Sequence, residues 1–389
     1  MTDRATDEQF LHRALDGARR GIGLASPGPC VGAIIVSSSG GIAGTGFYTY
    51  DGVKHAEVLA LAQAGESARG GTLYINLEPH CHQGRTPPCT DALIAAGIRR
   101  VVACMPDPNP KVSGKGFEKL RAAGIPVEVG LLETEARHLN EAFARYIRCG
   151  IPLVTLKSAM TLDGKIAPPP ASELSREAGV PPGGWITGET ARAHVQEQRH
   201  QSDAILVGIG TIVADDPLLT DRSGHPRRRP LLRVILDSHL RLPLKSRLVR
   251  SVMNSETSKN DVLVFCCHAE EEKKKELEGR GIRVEPLSQL SSDGRIDMHA
   301  VLRRLGELEI TSLMIEGGSS VNAAALAAGV VDKLFLYYAP KILALDGSIP
   351  FASGTALGGV FPSQIKHLTL HRFGEDFAVG GYLRDPYGD

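Results

Sequence analysis

The sequence predicts an α/β protein of two domains, and three observations carry that prediction. Short apolar, strand-like runs alternate with amphipathic helical stretches along most of the chain. The alternation is interrupted at Gly150-Ile151-Pro152, after which a new strand series begins. The length, 389 residues, suffices for two or three separate hydrophobic cores. The boundary is placed at that break, giving domains of 1–149 and 150–389.

In the first domain, Phe10, Leu11, Ala14, Leu15 and Ala18 form a helical stripe over residues 8–20. Ser26-Pro27-Gly28-Pro29 breaks it, and a strand follows at 31–36. Gly40-Gly41 is a turn into a second strand near 42–48. A helix starts at about His55 and carries Val58, Leu59, Leu61 and Ala62. Strands at 72–76, 100–104 and 127–129 alternate with helices at 88–96, 115–123 and 133–148. The second domain has strands predicted at 153–157, 204–208, 232–237, 262–266, 282–285, 311–316 and 332–338. Helices at about 189–200, 270–280, 297–307 and 320–328 alternate with several of them. Residues 168–184, rich in proline and glycine, form a long loop of the kind that is functional or disordered.

Composition narrows the function classes. Hydrophobic content of 42% and charged content of 23% are ordinary for a soluble globular protein. Lys plus Arg equals Asp plus Glu at 44 each, which offers no support for a nucleic-acid or membrane partner. No apolar run reaches the roughly 18 residues that a membrane span needs. The polar, acidic N-terminus does not resemble a secretory signal, and seven scattered cysteines suit a reducing cytoplasm. Cys30, Cys104, Cys149, Cys266 and Cys267 are expected as buried small hydrophobes. The composition is compatible with a homo-oligomer.

The chemistry concentrates in His55-Ala56-Glu57 and in Pro79-His80-Cys81-His82-Gln83-Gly84-Arg85-Thr86-Pro87-Pro88-Cys89. His nitrogen and Cys sulfur are zinc donors, and a catalytic zinc site keeps one position open. A neighbouring carboxylate that does not bind the metal can move protons. His-x-Glu followed by a proline- and cysteine-bearing loop is the signature of zinc deaminases acting on nucleobases. The triplet alone is matched by many ordinary helix starts, because Glu favours the first helical turn. The second cluster, at the next strand-to-helix junction, reverses those odds.

These motifs closely resemble the bifunctional riboflavin-biosynthesis deaminase/reductase family. The resemblance runs through His55-Ala-Glu-Val, Leu77-Glu-Pro-His-Cys-His-Gln-Gly-Arg-Thr-Pro-Pro-Cys-Thr-Asp-Ala-Leu and Asp107-Pro-Asn-Pro-Lys-Val-Ser-Gly-Lys-Gly. It continues in Leu156-Lys-Ser-Ala-Met-Thr-Leu-Asp-Gly-Lys, Trp185-Ile-Thr-Gly, Gly210-Thr-Ile-Val-Ala-Asp-Asp-Pro-Leu-Leu-Thr-Asp-Arg and Ile315-Glu-Gly-Gly, so it spans roughly residues 8–385. It implies a cytidine-deaminase-like three-layer domain followed by a dihydrofolate-reductase-like domain, with Zn2+ and NADPH as cofactors. The implied substrate is 2,5-diamino-6-(5-phosphoribosylamino)pyrimidin-4-one. It would first be deaminated by hydrolysis, with Glu57 moving the protons. Its ribosyl group would then be reduced to give 5-amino-6-(5-phosphoribitylamino)uracil.

Two positions depart from the family pattern. His80 stands where the family's first zinc cysteine follows Glu-Pro, and Gly28 stands where an Asn is expected to hold the pyrimidine edge. Three readings of position 80 remain open. His80 binds zinc together with His55 and Cys89. Alternatively, Cys81 takes the place, which at a helix start means turning the side chain by roughly 100°. Or the site is impaired, and the chain is a reductase with a structural deaminase domain. His82 is read as either a partner of the site or a surface loop residue.

On its residues alone the second domain is only a nucleotide-binding candidate. Gly317-Gly318 between an apolar strand and a helix could bring backbone N–H groups to a phosphate. The resemblance implies cofactor contacts at Ala159, Trp185, Thr187, Thr211, Asp215, Ser238, Gly317, Gly318 and Ser319. It places Lys157, Gly183, Arg199, Leu219, Arg222 and Glu316 on the substrate side. Arg199 and Arg222 suit a substrate phosphate, because guanidinium offers paired donors. As a non-site reading, the lone Trp185 would simply fill a loop core.

Overall fold

In a computed structural model of the protein, the described residues are 4–84, 87–169, 185–253, 260–287, 295–354 and 364–388. The chain divides into two compact units: residues 1–150 with 226–229 and 389, and residues 151–225 with 230–388.

The first unit is a five-stranded sheet with helices from between its strands. Its elements are α1 (Arg4–Arg19), β1 (Gly32–Val36), β2 (Ile42–Phe47), α2 (Ala56–Ala64), β3 (Thr72–Ile75), α3 (Cys89–Ala95), β4 (Arg100–Ala103), α4 (Lys115–Ala122), β5 (Val127–Val129) and α5 (Glu133–Cys149). The sheet order is β2-β1-β3-β4-β5. β1 runs antiparallel to β2 and β3, whereas β3, β4 and β5 are parallel. Parallel pairing needs helical crossovers, so the starts of helices lie next to the ends of parallel strands. α1 is pinned by its buried Asp7, which accepts from Tyr74 of β3 at 2.7 Å and from Arg100 of β4 at 2.9 and 2.7 Å.

The second unit contains β6 (Leu153–Thr161), β7 (Lys165–Ala167), α6 (Glu189–Gln201), β8 (Ala204–Gly208), α7 (Ile209–Asp215), β9 (Leu232–Leu236), α8 (Arg247–Met253), β10 (Val262–Cys266), α9 (Glu271–Glu278), β11 (Arg283–Pro286), α10 (Met298–Glu307), β12 (Ser312–Ile315), α11 (Ser319–Ala327), β13 (Lys333–Ala339), β14 (Ile349–Pro350), β15 (Lys366–Phe373) and β16 (Asp376–Tyr382). Nine strands form one sheet in the order β11-β10-β9-β8-β12-β6-β13-β16-β15. Both faces of its parallel part are apolar. Val154, Leu206, Val234 and Leu313 pack in one core, while Ile205, Val207, Ile235 and Val264 pack in the other. Such two-sided burial explains the continuous apolar runs of these strands.

The C-terminal hairpin β15–β16 is absent from the sequence-based expectation. β15 is an edge strand whose residues are almost all exposed, including Leu368 and Leu370 at 56% and 71%. With Lys366, His367, His371 and Arg372 among them, it shows no clean apolar alternation. Charges on an edge strand discourage pairing with other chains. The short α7, α8, β7 and β14 also lie outside that expectation. Cys104 and Cys266 are buried as expected and Cys30 and Cys267 are half-buried, but Cys149 is exposed, because it ends α5 at the solvent side.

One buried carboxylate fixes the loop between β3 and α3. Glu78, 4% exposed, accepts four backbone N–H groups: Asp107 at 3.0 Å, Gly114 at 2.8 Å, Gly116 at 2.7 Å and Phe117 at 3.3 Å. Gly114 takes a left-handed φ of 84°, and a Cβ on Gly116 would collide with the Pro79 carbonyl. The Val-Ser-Gly-Lys-Gly segment is thus a cradle for Glu78. Charge-assisted hydrogen bonds are individually strong, and buried donors left unmade are costly. Glu78→Ala is therefore expected to destabilise the protein by about 3 kcal/mol or more, measured as a fall in the urea midpoint of the full-length chain. Wild-type stability would show that the cradle carries no such energy.

Candidate active sites in the two units

In the first unit, two helix starts converge. His55 is the N-cap of α2 with extended backbone (φ −70°, ψ 157°), and Glu57 lies in the first turn. Cys89 is the first residue of α3, after Pro88 as N-cap. The donor atoms of His55, Glu57 and Cys89 all lie within 4.8 Å of one another. His55 Nδ1 is 2.8 Å from Cys89 Sγ.

His80 stands beside this cluster rather than in its tight core. Its ring meets that of His55 edge-on, with centroids 5.2 Å apart. Its Nε2 is 3.1 Å from Nε2 of exposed His82, while its buried Nδ1 has no hydrogen-bond partner among the described residues. Cys81 is in the electrostatic reach of Glu78, Lys119 and Lys115, and does not join the cluster. Arg85 and Thr86 lie outside the described residues.

Burial sets the protonation of the cluster. It lowers His55, and with the charges of His82 and His55 it pushes His80 down to about 4. Both imidazoles are neutral at pH 7, the form that binds a metal. Burial also pushes Glu57 up to about 7 and, together with Glu57, raises the Cys89 thiol. The donor set fits zinc: one thiol, neutral imidazoles, and an unpartnered buried nitrogen at the rim.

The second unit brings three of its predicted residues into one buried cluster. Glu316, just after β12, accepts from Arg199 Nε at 2.8 Å and Nη2 at 3.0 Å, and Lys157 Nζ of β6 lies 3.5 Å away. All three side chains are 11–12% exposed. Burial raises the Glu316 carboxyl, but Lys157 and Arg199 outweigh it and bring it down to about 2. Arg199 also donates to the Thr220 carbonyl at 2.9 Å. The guanidinium thus holds Glu316 and the 219–221 segment, where the sequence had suggested a phosphate clamp. Leu219 is buried beside it with φ of 56°, and Arg222 is exposed, its backbone N–H bonded to Gln196.

The predicted cofactor positions fall mainly at strand ends. Gly318 is the N-cap of α11, and Gly208, outside the predicted set, is the N-cap of α7 just before Thr211. Thr211 Oγ1 lies 3.9 Å from where a Cβ on Gly318 would stand, and a Cβ on Gly317 would crowd Val321 at 2.7 Å. These bare helix starts fit the phosphates of a dinucleotide. Ser319 is buried, with its hydroxyl 2.8 Å from that of Ser353. Ser238 follows β9, and its carbonyl accepts from Cys267 and His268. Ala159 pairs with Tyr337 in the sheet, Thr187 is buried, and Asp215 ends α7. Trp185 is 68% exposed with the Arg192 guanidinium 5.0 Å from its ring, so it fills no core. Gly183 lies outside the described residues.

Two features escaped the sequence. His194 Nδ1 is 2.8 Å from the hydroxyl of buried Tyr337, whose ring lies 5.7 Å from Lys157 Nζ. Tyr48 packs edge-on to His55, centroids 5.8 Å apart. His194 and Tyr337 are 143 residues apart, and Tyr48, though near His55 in the chain, belongs to none of the motifs singled out in the sequence.

Because Glu316 is held below its unfolded value, its stabilising contribution is complete above the ordinary glutamate range and is lost as pH falls toward 2. A depression from 4.5 to about 2 corresponds to about 3 kcal/mol. Glu316→Gln is expected to lose a similar amount at pH 7 and to flatten the stability profile between pH 5 and 2. Urea unfolding across that range, followed by circular dichroism, is the check. A parallel profile in the variant would show that the ion cluster is not the source.

Residues 152–379 match the RibD C-terminal domain, and residues 4–105 match the cytidine and deoxycytidylate deaminase zinc-binding region. Riboflavin biosynthesis protein RibD of Aquifex aeolicus (strain VF5) is 42% identical over 377 residues, covering 97% of this chain and 98% of that protein. Its namesake in Escherichia coli (strain K12) is 40% identical over 351 residues, covering 87% and 89%. Among solved structures, Acinetobacter baumannii RibD superposes with a TM-score of 0.80 at 32% identity, covering 98% of this chain and 99% of that one. The diaminohydroxyphosphoribosylaminopyrimidine deaminase/5-amino-6-(5-phosphoribosylamino)uracil reductase of Thermotoga maritima gives 0.79 at 36% identity, covering 97% and 99%. The fold is accordingly a cytidine-deaminase-like domain followed by a reductase domain similar to the dihydrofolate-reductase-like fold. The chain belongs to the RibD family and is a bifunctional deaminase/reductase of riboflavin biosynthesis, with Zn2+ and NADPH as its cofactors.

Proposed function

We propose that residues 1–149 hydrolyse the 2-amino group of 2,5-diamino-6-(5-phosphoribosylamino)pyrimidin-4-one, and that residues 150–389 reduce the ribosyl group of the deaminated product to ribityl. The Thermotoga protein carries both activities in its name. The observation that carries the first half is Glu57, 3% exposed, buried against Cys89 and His55. His55, Cys89 and His80, the last through its unpartnered Nδ1, would hold zinc. Bound there, zinc supplies a reactive water at neutral pH. Water replaces the 2-amino group, which leaves as ammonia. Glu57 carries one proton of that water to the ring nitrogen, and then carries the second, from the newly added hydroxyl, to the departing amine as the C–N bond breaks and the carbonyl forms. Its carboxyl, raised by burial to about 7, suits both directions.

In the second half, Ala159, Trp185, Thr187, Thr211, Asp215, Ser238 and the Gly317–Ser319 turn are assigned to NADPH, which supplies the hydride. Lys157, Leu219, Arg222 and Glu316 are assigned to the substrate side, with Arg199 fixing Glu316. Arg222, exposed near the cluster in sequence, is the available guanidinium for the substrate phosphate. The reading takes a small-molecule substrate and no nucleic-acid or membrane partner. Among the described residues no helix is long and apolar enough to cross a membrane. Free thiols suit work in the cytoplasm.

Ammonia release and NADPH oxidation should be assayed separately. Glu57→Gln is expected to lower ammonia release by about 10²–10⁴-fold while reduction of the deaminated substrate continues. His80→Ala should lose zinc by elemental analysis and His80→Cys should retain it. Equimolar zinc in His80→Ala would remove His80 from the ligand set.

A further inference from the structure

Tyr48 and Gly28 occupy one space. A Cβ built on Gly28 would lie 2.7 Å from Tyr48 Cε1 and 3.2 Å from its hydroxyl oxygen. The first is closer than real Cβ contacts allow, so a side chain at 28 and this ring placement exclude each other. The arrangement is held by the backbone. Tyr48 N–H donates to the Val31 carbonyl at 2.9 Å, and Tyr50 N–H to the Leu24 carbonyl at 3.0 Å, laying the 48–50 segment along the 24–31 turn. That turn is itself fastened. Asn140 Oδ1 accepts from Cys30 N–H at 2.8 Å, and Asn76 joins the Cys30 carbonyl and Gly32 N–H at 2.9 Å each. The phenol is therefore placed by a rigid frame, half-buried, with its ring edge-on to His55.

An aminopyrimidinone presents carbonyl, ring-nitrogen and amino groups along its edge. Shape alone discriminates poorly among such rings, whereas a fixed hydrogen-bonding group discriminates well. A phenol hydroxyl both donates and accepts. We infer that Tyr48 is a specificity-determining residue of the deaminase site, its hydroxyl delivered over Gly28 to hydrogen-bond the edge of the pyrimidine ring. Gly28 is the counterpart that leaves room for it. This inference rests on the deaminase activity proposed above.

The test is steady-state ammonia release from the diaminopyrimidine substrate by full-length, zinc-loaded protein. Tyr48→Phe keeps the ring and removes the hydroxyl. KM should rise about tenfold, as expected for loss of one hydrogen bond to substrate, with a smaller change in kcat. Zinc content and NADPH oxidation should stay at wild-type levels, which separates loss of a contact from loss of fold. Gly28→Ala, which pushes the ring aside while keeping the hydroxyl on it, should raise KM in the same way. A wild-type KM in Tyr48→Phe, or in Gly28→Ala, overturns the assignment. Failure of the wild-type protein to release ammonia would sink the deaminase reading itself, and the Tyr48 assignment with it.

Discussion

The deaminase unit depends on the carboxylate of Glu78. It sits where β3 ends and the Pro79–Cys89 loop begins, and it collects four backbone N–H groups from residues 107–117. Those groups belong to the connection that leads from β4 into α4 and to the first turn of α4. One side chain therefore joins two consecutive crossover loops of the parallel sheet. The loop that carries His80 is then stiff at its first residue, while its far end is fixed by Cys89 as α3 begins. His80 backbone reinforces this, its carbonyl accepting from Thr90 at 3.2 Å. Ligand precision needs this kind of outer support, because a metal-binding side chain is only as well placed as the backbone beneath it.

The reductase unit solves a related problem with charges. Glu316 leaves the end of a central parallel strand, where open α/β sheets hold their ligands. Two cations from two other elements meet it there, β6 through Lys157 and α6 through Arg199. Buried Asp221 adds a second carboxylate whose charge acts on Arg199. A buried carboxylate with a single partner would be fragile, and its paired cations make the cluster robust to removal from water.

Much of the architecture was legible in the sequence because burial on both faces of a parallel sheet writes continuous apolar runs. The His55, Glu57 and Cys89 cluster was legible because its chemistry is packed into two short motifs at helix starts. Other features were not, each for a physical reason. β15 is an exposed edge and carries no clean apolar alternation. The acceptor role of Glu78 is invisible locally, since its donors lie 29 to 39 residues downstream. Arg199 was read by residue type as suited to a substrate phosphate, whereas its pairing with Glu316, 117 residues away, leaves no local trace in the sequence. Gly28 was visible as an anomaly, whereas the Tyr48 ring that fills the space beside it became apparent only once the ring was placed in space.

That shared space also constrains how such a site can change over generations. With the Tyr48 ring in place, any larger residue at 28 meets it at 2.7 Å. With a side chain already at 28, the ring must settle elsewhere. A side chain at 28 and this placement of the ring are therefore alternatives, and a change at one position alters the space open to the other. Replacements at 28 and 48 are accordingly coupled rather than independent.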